Sequence, residues 1–142
     1  MPAAKGARRP TTKKATRAAR PAGADESREI ALVVATAALE KKAMAVEILD
    51  VVGKVDYADF LVLMTGRSNR QVDALAQAVE EACAKKKKRA LSVEGLPAAA
   101  WVLLDFGDVV VHIFQEEARG LYDIEGLWLD AARLPVPGAN TR

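Results

Sequence analysis

The chain has 142 residues, of which 51% are hydrophobic and 28% are charged, a balance typical of one water-soluble globular domain. This size excludes a two-domain enzyme, and no apolar run approaches the roughly 18 residues that a membrane-spanning helix needs. One cysteine and one histidine, Cys83 and His112, exclude an internal disulfide and a Cys/His metal cluster. Because no apolar segment follows the first charges, we expect no secretory signal and a cytoplasmic location.

The net charge of +2 is the sum of two parts of the chain that carry opposite charge. Residues 1–24 carry seven bases and no acid, whereas the remaining body carries 14 bases and 19 acids and is therefore acidic. We predict a disordered basic tail over residues 1–26, because the segment lacks large apolar side chains apart from Met1. Three interpretations of the tail stay open: a solubilising extension, an arm that contacts RNA phosphates, and a transit peptide.

The predicted folded domain spans residues 27–134 and begins with a helix. Ser27 is a candidate N-cap, and the apolar residues that follow repeat every 3.6 residues as far as about Lys42. Two β-rich runs come next, at residues 46–52 and 60–65. The second run is apolar at nearly every position, which is typical of a strand buried on both faces.

A second helix is predicted from a capping box, with Ser68 at the N-cap and Gln71 three residues later, and it extends to about Lys85. Cys83 lies on the apolar stripe of this helix, which favours a small buried side chain over a nucleophile. Five consecutive bases, residues 85–89, end the helix; we call them the basic run. Such a run is usually solvated and complements the helix dipole, and contact with RNA or an acidic partner is the alternative.

The second half of the domain is predicted to contain three strands and a helix. A short strand at residues 91–93 precedes a hairpin of two β-rich runs, residues 101–106 and 109–114, joined by a tight turn. Residues 115–121 are predicted to start a short turn or helix, residues 122–132 are predicted as a C-terminal helix, and residues 135–142 as a flexible C-terminus. The order αββαβββα predicts an α/β fold with a mixed sheet of about five strands and packed helices.

No set of residues completes a catalytic site in the sequence. Gly66-Arg67-Ser68 resembles the Gly-Ser element of nucleotidyltransferases, but the two closely spaced carboxylates that hold metal ions in those enzymes are missing from the following strand. Asp105 and Asp108 flank the hairpin turn, where aspartate commonly makes local hydrogen bonds. His112 lacks a second histidine or a nucleophile, which favours a structural role. We expect no enzyme, no cofactor and no metal; a nucleotide-binding or degenerate nucleotidyltransferase-like enzyme is the alternative.

The first hairpin strand offers a candidate interaction surface. Alternation places Trp101 and Leu103 on one face and Val102 and Leu104 on the other. If the second pair belongs to the core, Trp101 and Leu103 are exposed and form an anchor of the kind that dominates protein interfaces. The alternative is that both faces are covered and Trp101 is a core residue.

Several segments together resemble one known family, the ribosomal silencing factors, also called RsfS or Iojap-like proteins. The matching segments are residues 48–51 (ILDV), 59–62 (DFLV), 65–72 (TGRSNRQV), 94–95 (EG), 101–114 (WVLLDFGDVVVHIF) and 119–128 (RGLYDIEGLW). The resemblance extends from about Arg28 to Asp130, so the basic tail carries no role implied by it.

The resemblance implies a homodimeric α/β protein with a nucleotidyltransferase-like chain path, no catalytic carboxylates and no activity. It also implies binding to the large ribosomal subunit through one of its proteins, the fourteenth large-subunit protein in this family. Binding at the face that meets the small subunit would sterically block joining and repress translation. A basic ribosomal protein is a suitable partner for an acidic body, while contact of the tail with ribosomal RNA stays a hypothesis.

The resemblance further implies a partner-binding surface on the first hairpin strand and the loop before it. Its candidate residues are Trp101, Leu103, Asp105, Glu94, Gly95 and Pro97. On this ground we expect Trp101 and Leu103 to be exposed.

Overall fold

A computed structural model describes residues 24–95, 98–122 and 131–138. Its elements, in chain order, are α1 (Ala24–Glu40), β1 (Met44–Asp50), β2 (Phe60–Gly66), α2 (Asn69–Lys85), β3 (Ser92–Glu94), β4 (Trp101–Asp105), β5 (Val109–Gln115), α3 (Glu116–Tyr122) and β6 (Ala132–Leu134). The disordered tail and the flexible C-terminus stay predictions, because residues 1–23 and 139–142 lie outside the described part of the chain.

The six described strands form one mixed sheet in the order β3-β4-β5-β2-β1-β6. β2 and β5 pair in parallel at the centre, and the other neighbouring strands pair antiparallel, including the predicted hairpin of β4 and β5. The predicted α/β fold with a mixed sheet and packed helices is confirmed. The sixth strand was not predicted, because β6 is only three residues long and is defined by its pairing with β1, where Ala132 lies opposite Asp50.

The short turn or helix predicted for residues 115–121 is the helix α3, which begins directly after β5 at Glu116 and ends at Tyr122. The predicted C-terminal helix over residues 122–132 is wrong at its C-terminal end, because Ala132 lies in β6. Two acids in the first turn of α3 complement the positive end of the helix dipole, and the Gln115 side-chain oxygen accepts a hydrogen bond from the Glu117 amide at 3.1 Å. Residues 123–130 lie outside the described residues.

The start of α1 also differs from the prediction. The helix begins at Ala24, three residues before Ser27 and inside the segment predicted as tail. Asp25 and Glu26 occupy its first turn, where negative charge stabilises the helix N-terminus. Ser27 is therefore a buried residue of the helix and not its N-cap.

Both faces of the sheet are buried. α1 and α2 pack on one face and form a first cluster with Val102, Leu104 and Phe106, which confirms the predicted core face of β4. The opposite face carries a second cluster, whose largest members are Leu49, Leu61, Leu63, Trp101, Leu103, Val110 and Phe114. Every residue of β2 is buried, as the apolar run predicts.

The predicted capping box at the start of α2 is present and connects the two long helices. The Ser68 hydroxyl accepts a hydrogen bond from the Gln71 amide at 3.1 Å, and the Gln71 side-chain oxygen accepts one from the Arg67 amide at 2.7 Å. The Gln71 side-chain nitrogen donates to the carbonyl oxygens of Lys41 and Lys42 at 3.1 and 3.2 Å. One glutamine thereby fixes the end of α1 against the start of α2.

Two residues after each long helix lies a lysine in the left-handed conformation, at φ 65° for Lys42 and φ 62° for Lys87. After α2, the Lys87 amide donates to the Ala84 carbonyl and the Lys88 amide donates to the Cys83 carbonyl, both at 2.9 Å. These two bonds form a Schellman motif, and an equivalent pair follows α1. Glycine usually occupies the left-handed position because a Cβ is strained there.

Cys83 is completely buried on the inner face of α2, as predicted. Burial, with a smaller contribution from the negative charge of Glu80, raises the pKa of the Cys83 thiol to about 11. The folded state therefore favours the neutral thiol, which is a poor nucleophile.

We predict that Lys42→Gly and Lys87→Gly each raise the free energy of unfolding by about 0.5–1 kcal/mol, because relief of left-handed strain outweighs the entropy that glycine adds to the unfolded chain. Urea denaturation measures the change. Lys86→Gly is the matched control, since Lys86 has φ −97° and glycine there should lower stability. Equal destabilisation by Lys86→Gly and Lys87→Gly would contradict the left-handed assignment.

We predict that iodoacetamide alkylates Cys83 slowly in the native protein at pH 8 and completely once the chain is denatured, as mass spectrometry would show.

The raised pKa of Cys83 also makes the free energy of unfolding depend on pH. The buried neutral thiol contributes fully to the free energy of unfolding below the unfolded thiol pKa of about 8.5. This contribution is lost as the pH rises through the pKa of the thiol in the folded protein. The Cys83→Ala variant should lack this part of the alkaline decline, and an identical decline in both proteins would contradict it.

Candidate partner-binding surface

β3 and β4 bring most of the predicted site residues together at one edge of the sheet. The two strands pair antiparallel, with Glu94 opposite Leu103. Five of the six predicted residues lie in or directly beside this strand pair: Glu94, Gly95, Trp101, Leu103 and Asp105. The sixth, Pro97, lies outside the described residues. We call residues 91–95 and 101–105 the β3–β4 edge.

The predicted exposure of Trp101 and Leu103 is wrong. Trp101 is 8% exposed and Leu103 is 1% exposed, because the sheet face opposite α1 and α2 carries a hydrophobic cluster of its own. Alternation along β4 assigns these two side chains to the correct face. It does not reveal that this face is also covered.

Trp101 belongs to a cluster of three rings on β4 and β5. The Trp101 indole nitrogen donates a hydrogen bond to Nδ1 of His112 at 3.1 Å. The rings of Trp101 and Phe114 stack with centroids 5.3 Å apart, and those of His112 and Phe114 stack at 6.0 Å. Because the indole is only a donor, Nδ1 of His112 must be the unprotonated acceptor. His112 therefore orients Trp101, which is the structural role that the sequence favours.

Gly95 is required by the close approach of two backbones. Its φ is 103°, and a Cβ placed on it would overlap the Trp101 carbonyl oxygen and lie 3.0 Å from the Val102 Cα. The Gly95 carbonyl also accepts a hydrogen bond from the Ala99 amide at 2.9 Å. Gly95 thus sets the path of the chain into β4 and offers no side chain to a partner.

Asp105 makes local hydrogen bonds at the hairpin, as its position predicts. Its carboxylate accepts a hydrogen bond from the Gly107 amide at 2.8 Å. Its carbonyl accepts one from the Leu91 amide at 2.6 Å. The buried Asp105 therefore holds both the turn to β5 and the start of β3.

Two exposed apolar side chains lie on β3 or directly before it and were missing from the sequence-based site. Leu91 is 65% exposed and Val93 is 36% exposed, and they are the exposed large hydrophobic residues of the described part of the chain. β3 lies at the edge of the sheet, so one side of its backbone faces no strand of the described sheet. The signal was available in the sequence, where Leu91 and Val93 flank Ser92 and only Ala90 separates them from the basic run.

The Gly-Ser element at the end of β2 has a structural explanation. A Cβ on Gly66 would lie 3.0 Å from the Val72 Cγ2 and 3.1 Å from the Val72 nitrogen, so the close packing of α2 on β2 requires glycine. Ser68 is engaged in the helix cap. Among the described residues, no group of three or more His, Cys, Asp or Glu is placed to hold a metal ion. No described helix is both long and apolar enough to cross a membrane.

Arg119 connects α3 to the sheet. Its guanidinium donates hydrogen bonds to the Ala45 carbonyl at 2.7 Å and to the Thr65 hydroxyl at 2.8 Å, and lies 3.7 Å from the Glu47 carboxylate. Glu47 also pairs with Arg133 of β6 at 3.1 Å. These polar contacts give the arginine of the RGLYDIEGLW segment a structural role.

Comparison with known proteins identifies the family. Residues 24–142 match the model of the family described as "Ribosomal silencing factor during starvation", RsfS. The chain belongs to the RsfS family. This finding confirms the resemblance drawn from the motifs, and the matched range extends beyond residues 28–130 at both ends.

Relatives and solved structures agree with this assignment. The ribosomal silencing factor RsfS of Zymomonas mobilis is 39% identical over 101 residues, which cover 70% of this chain and 76% of the relative. RsfS of Bacillus subtilis is 36% identical over 104 residues, or 73% of this chain and 88% of the relative. A crystal structure from Chromobacterium violaceum is 32% identical, covers 80% of this chain and 93% of that chain, and has a TM-score of 0.71.

We predict that Trp101→Phe lowers the free energy of unfolding by about 1 kcal/mol, since it keeps an aromatic ring but removes the donor to His112. Long-range ¹⁵N–¹H correlation spectra provide the direct readout, because His112 is the single histidine of the chain. The native protein should show a proton on Nε2 and an unprotonated Nδ1 whose shift changes in the variant. A proton on Nδ1 in the native protein would contradict the hydrogen bond.

Proposed function

We propose that this protein is a translational repressor that binds the large ribosomal subunit through one of its proteins and sterically blocks joining with the small subunit. The observation that carries the proposal is the match of residues 24–142 to the ribosomal silencing factor family. By the family resemblance, the partner is the fourteenth large-subunit protein at the intersubunit face. The repressor acts in the cytoplasm as a homodimer, without a cofactor and without catalysis.

The β3–β4 edge is the proposed contact surface. Leu91 and Val93 supply exposed apolar area, and Glu94 follows Val93 as the last residue of β3. Interfaces combine an apolar centre with surrounding polar groups, and an acidic residue suits a basic ribosomal protein. Gly95 sets the path of the chain after β3, and Pro97 stays a proposed contact that rests on the family resemblance alone.

The buried members of the predicted site have a supporting role in this proposal. Trp101, Leu103 and Asp105 lie in the strand that pairs with β3. Trp101 is held by His112, and Asp105 holds Leu91 through its carbonyl. They fix the position of the exposed edge, so substitutions there weaken partner binding by disturbing the edge.

Obstruction needs only a stable body on the joining face. The Gly-Ser element, the site of the alternative enzymatic hypothesis, is engaged in packing and helix capping. The seven bases of residues 1–24 add long-range attraction to ribosomal RNA around the docking site.

We predict that the purified protein comigrates with isolated large subunits in a sucrose gradient and reduces their joining to small subunits. Glu94→Lys should weaken subunit binding at least about tenfold, or 1.4 kcal/mol, because it reverses the charge at the proposed contact. Glu40→Lys is the matched control, since Glu40 is an exposed acid at the end of α1 and should leave binding unchanged.

Normal joining at saturating protein would contradict the repressor function. Equal weakening by the two charge reversals, with thermal melts showing both variants folded, would contradict the placement of the contact at the β3–β4 edge.

A further inference from the structure

The basic run, residues 85–89, is held in a defined conformation at the end of α2. Lys85, Lys86, Lys87 and Arg89 are exposed, and Lys88 is half-buried. The Schellman bonds from Lys87 and Lys88 tie the backbone of the run to the last turn of the helix. Cys83, whose carbonyl accepts one of these bonds, is completely buried in the core. The cations are therefore carried on an ordered turn.

Most of this positive charge is uncompensated within the described part of the chain. Lys86 pairs with Glu29 at 3.3 Å, and both side chains are at least half exposed. The other four cations of the run make no ion pair with the described residues. Within the described residues, four cations without an ion pair therefore lie among five consecutive positions, which concentrates positive charge there.

The rest of the body has the opposite charge. Of the 14 bases that follow residue 24, five lie in the basic run, which leaves nine bases against 19 acids in the remainder. A polyanion would be repelled by most of this surface and attracted to one corner. Such a distribution orients a protein during its approach to a charged partner.

The basic run also lies next to the proposed contact surface. Arg89 is two residues before Leu91, which is about 7 Å in an extended chain. If the β3–β4 edge contacts a ribosomal protein, the basic run faces whatever surrounds that protein. On a ribosomal subunit, RNA is the polyanion that such a neighbouring surface would present.

We propose that the basic run is a phosphate-binding site for RNA, which holds the orientation of the protein beside its ribosomal partner. Lysine and arginine gain affinity there by releasing counterions from the phosphates, without reading the base sequence. The placement on ribosomal RNA rests on the proposed function, whereas the affinity for RNA itself does not.

The left-handed lysines provide a test that separates binding from folding. In the full-length protein, Lys85→Gln/Lys87→Gly removes two cations of the basic run, and Lys41→Gln/Lys42→Gly removes two at the end of α1. Each pair contains one lysine at a left-handed helix end, where glycine is not expected to destabilise the fold. Net charge and residue types are therefore matched, and each pair contains the left-handed lysine that follows its helix.

The probe is a fluorescein-labelled oligouridine of about 20 nucleotides, titrated at several salt concentrations by fluorescence anisotropy. Each lost phosphate contact should lower the slope of log K against log salt by about 0.7, so the Lys85/Lys87 pair should lower it by about 1.4 and weaken binding about tenfold or more near 0.1 M salt. The Lys41/Lys42 pair should stay within about twofold of the unmodified protein. The basic tail is identical in all three proteins.

Two outcomes overturn the proposal in this assay: equal losses for the two pairs, which indicate a general effect of net charge, and no loss for either. A third outcome that would overturn the proposal can be measured by cosedimentation with large subunits. If the Lys85/Lys87 pair weakens that binding while oligouridine affinity is unchanged, the basic run contacts an acidic protein surface and not RNA. Oligouridine binding involves no ribosome, so its result can be interpreted even if the protein is not a translational repressor.

Discussion

The central strand β2 is apolar and buried along its whole length, and this constraint shapes the rest of the molecule. A strand of this kind must be covered on both faces. α1 and α2 cover one face, and the other carries the cluster that contains Trp101, Leu103 and Phe114. With both faces buried, the surface that the sheet itself offers is at its edges. At the β3 edge, Leu91 and Val93 are exposed and Glu94 ends the strand, and the proposed partner contact depends on this edge.

Several residues of the family motif lie behind this edge and have structural roles. Gly95 is required where the chain passes the Trp101 carbonyl, His112 orients the Trp101 indole, and Asp105 joins the turn to the start of β3. Arg119 likewise has a structural role, because its hydrogen bonds connect α3 to the first two strands. Residues that a motif marks as functional can therefore act through the position of a neighbouring edge. In the proposed complex, the partner contacts the less distinctive side chains of β3.

Local signals predicted most of the fold and only part of the site. The capping box of Ser68 and Gln71 and the β4–β5 hairpin are encoded within a few residues, so they were predictable. β6 was missed because three residues become a strand only through pairing with the distant β1. Alternation correctly placed Trp101 and Leu103 on one face, but whether a face is covered depends on segments far away in the chain. Leu91 was overlooked for the converse reason, since exposure of an apolar residue depends on lying at the sheet edge.

Hydrogen–deuterium exchange of the full-length protein, alone and with excess large subunits, tests whether the β3–β4 edge contacts the large ribosomal subunit. Contact at this edge should concentrate the added protection in peptides covering residues 88–95 and 101–105, while the amides of α1 exchange as in the free protein. Protection confined to α1, with exchange in β3 unchanged, would contradict it.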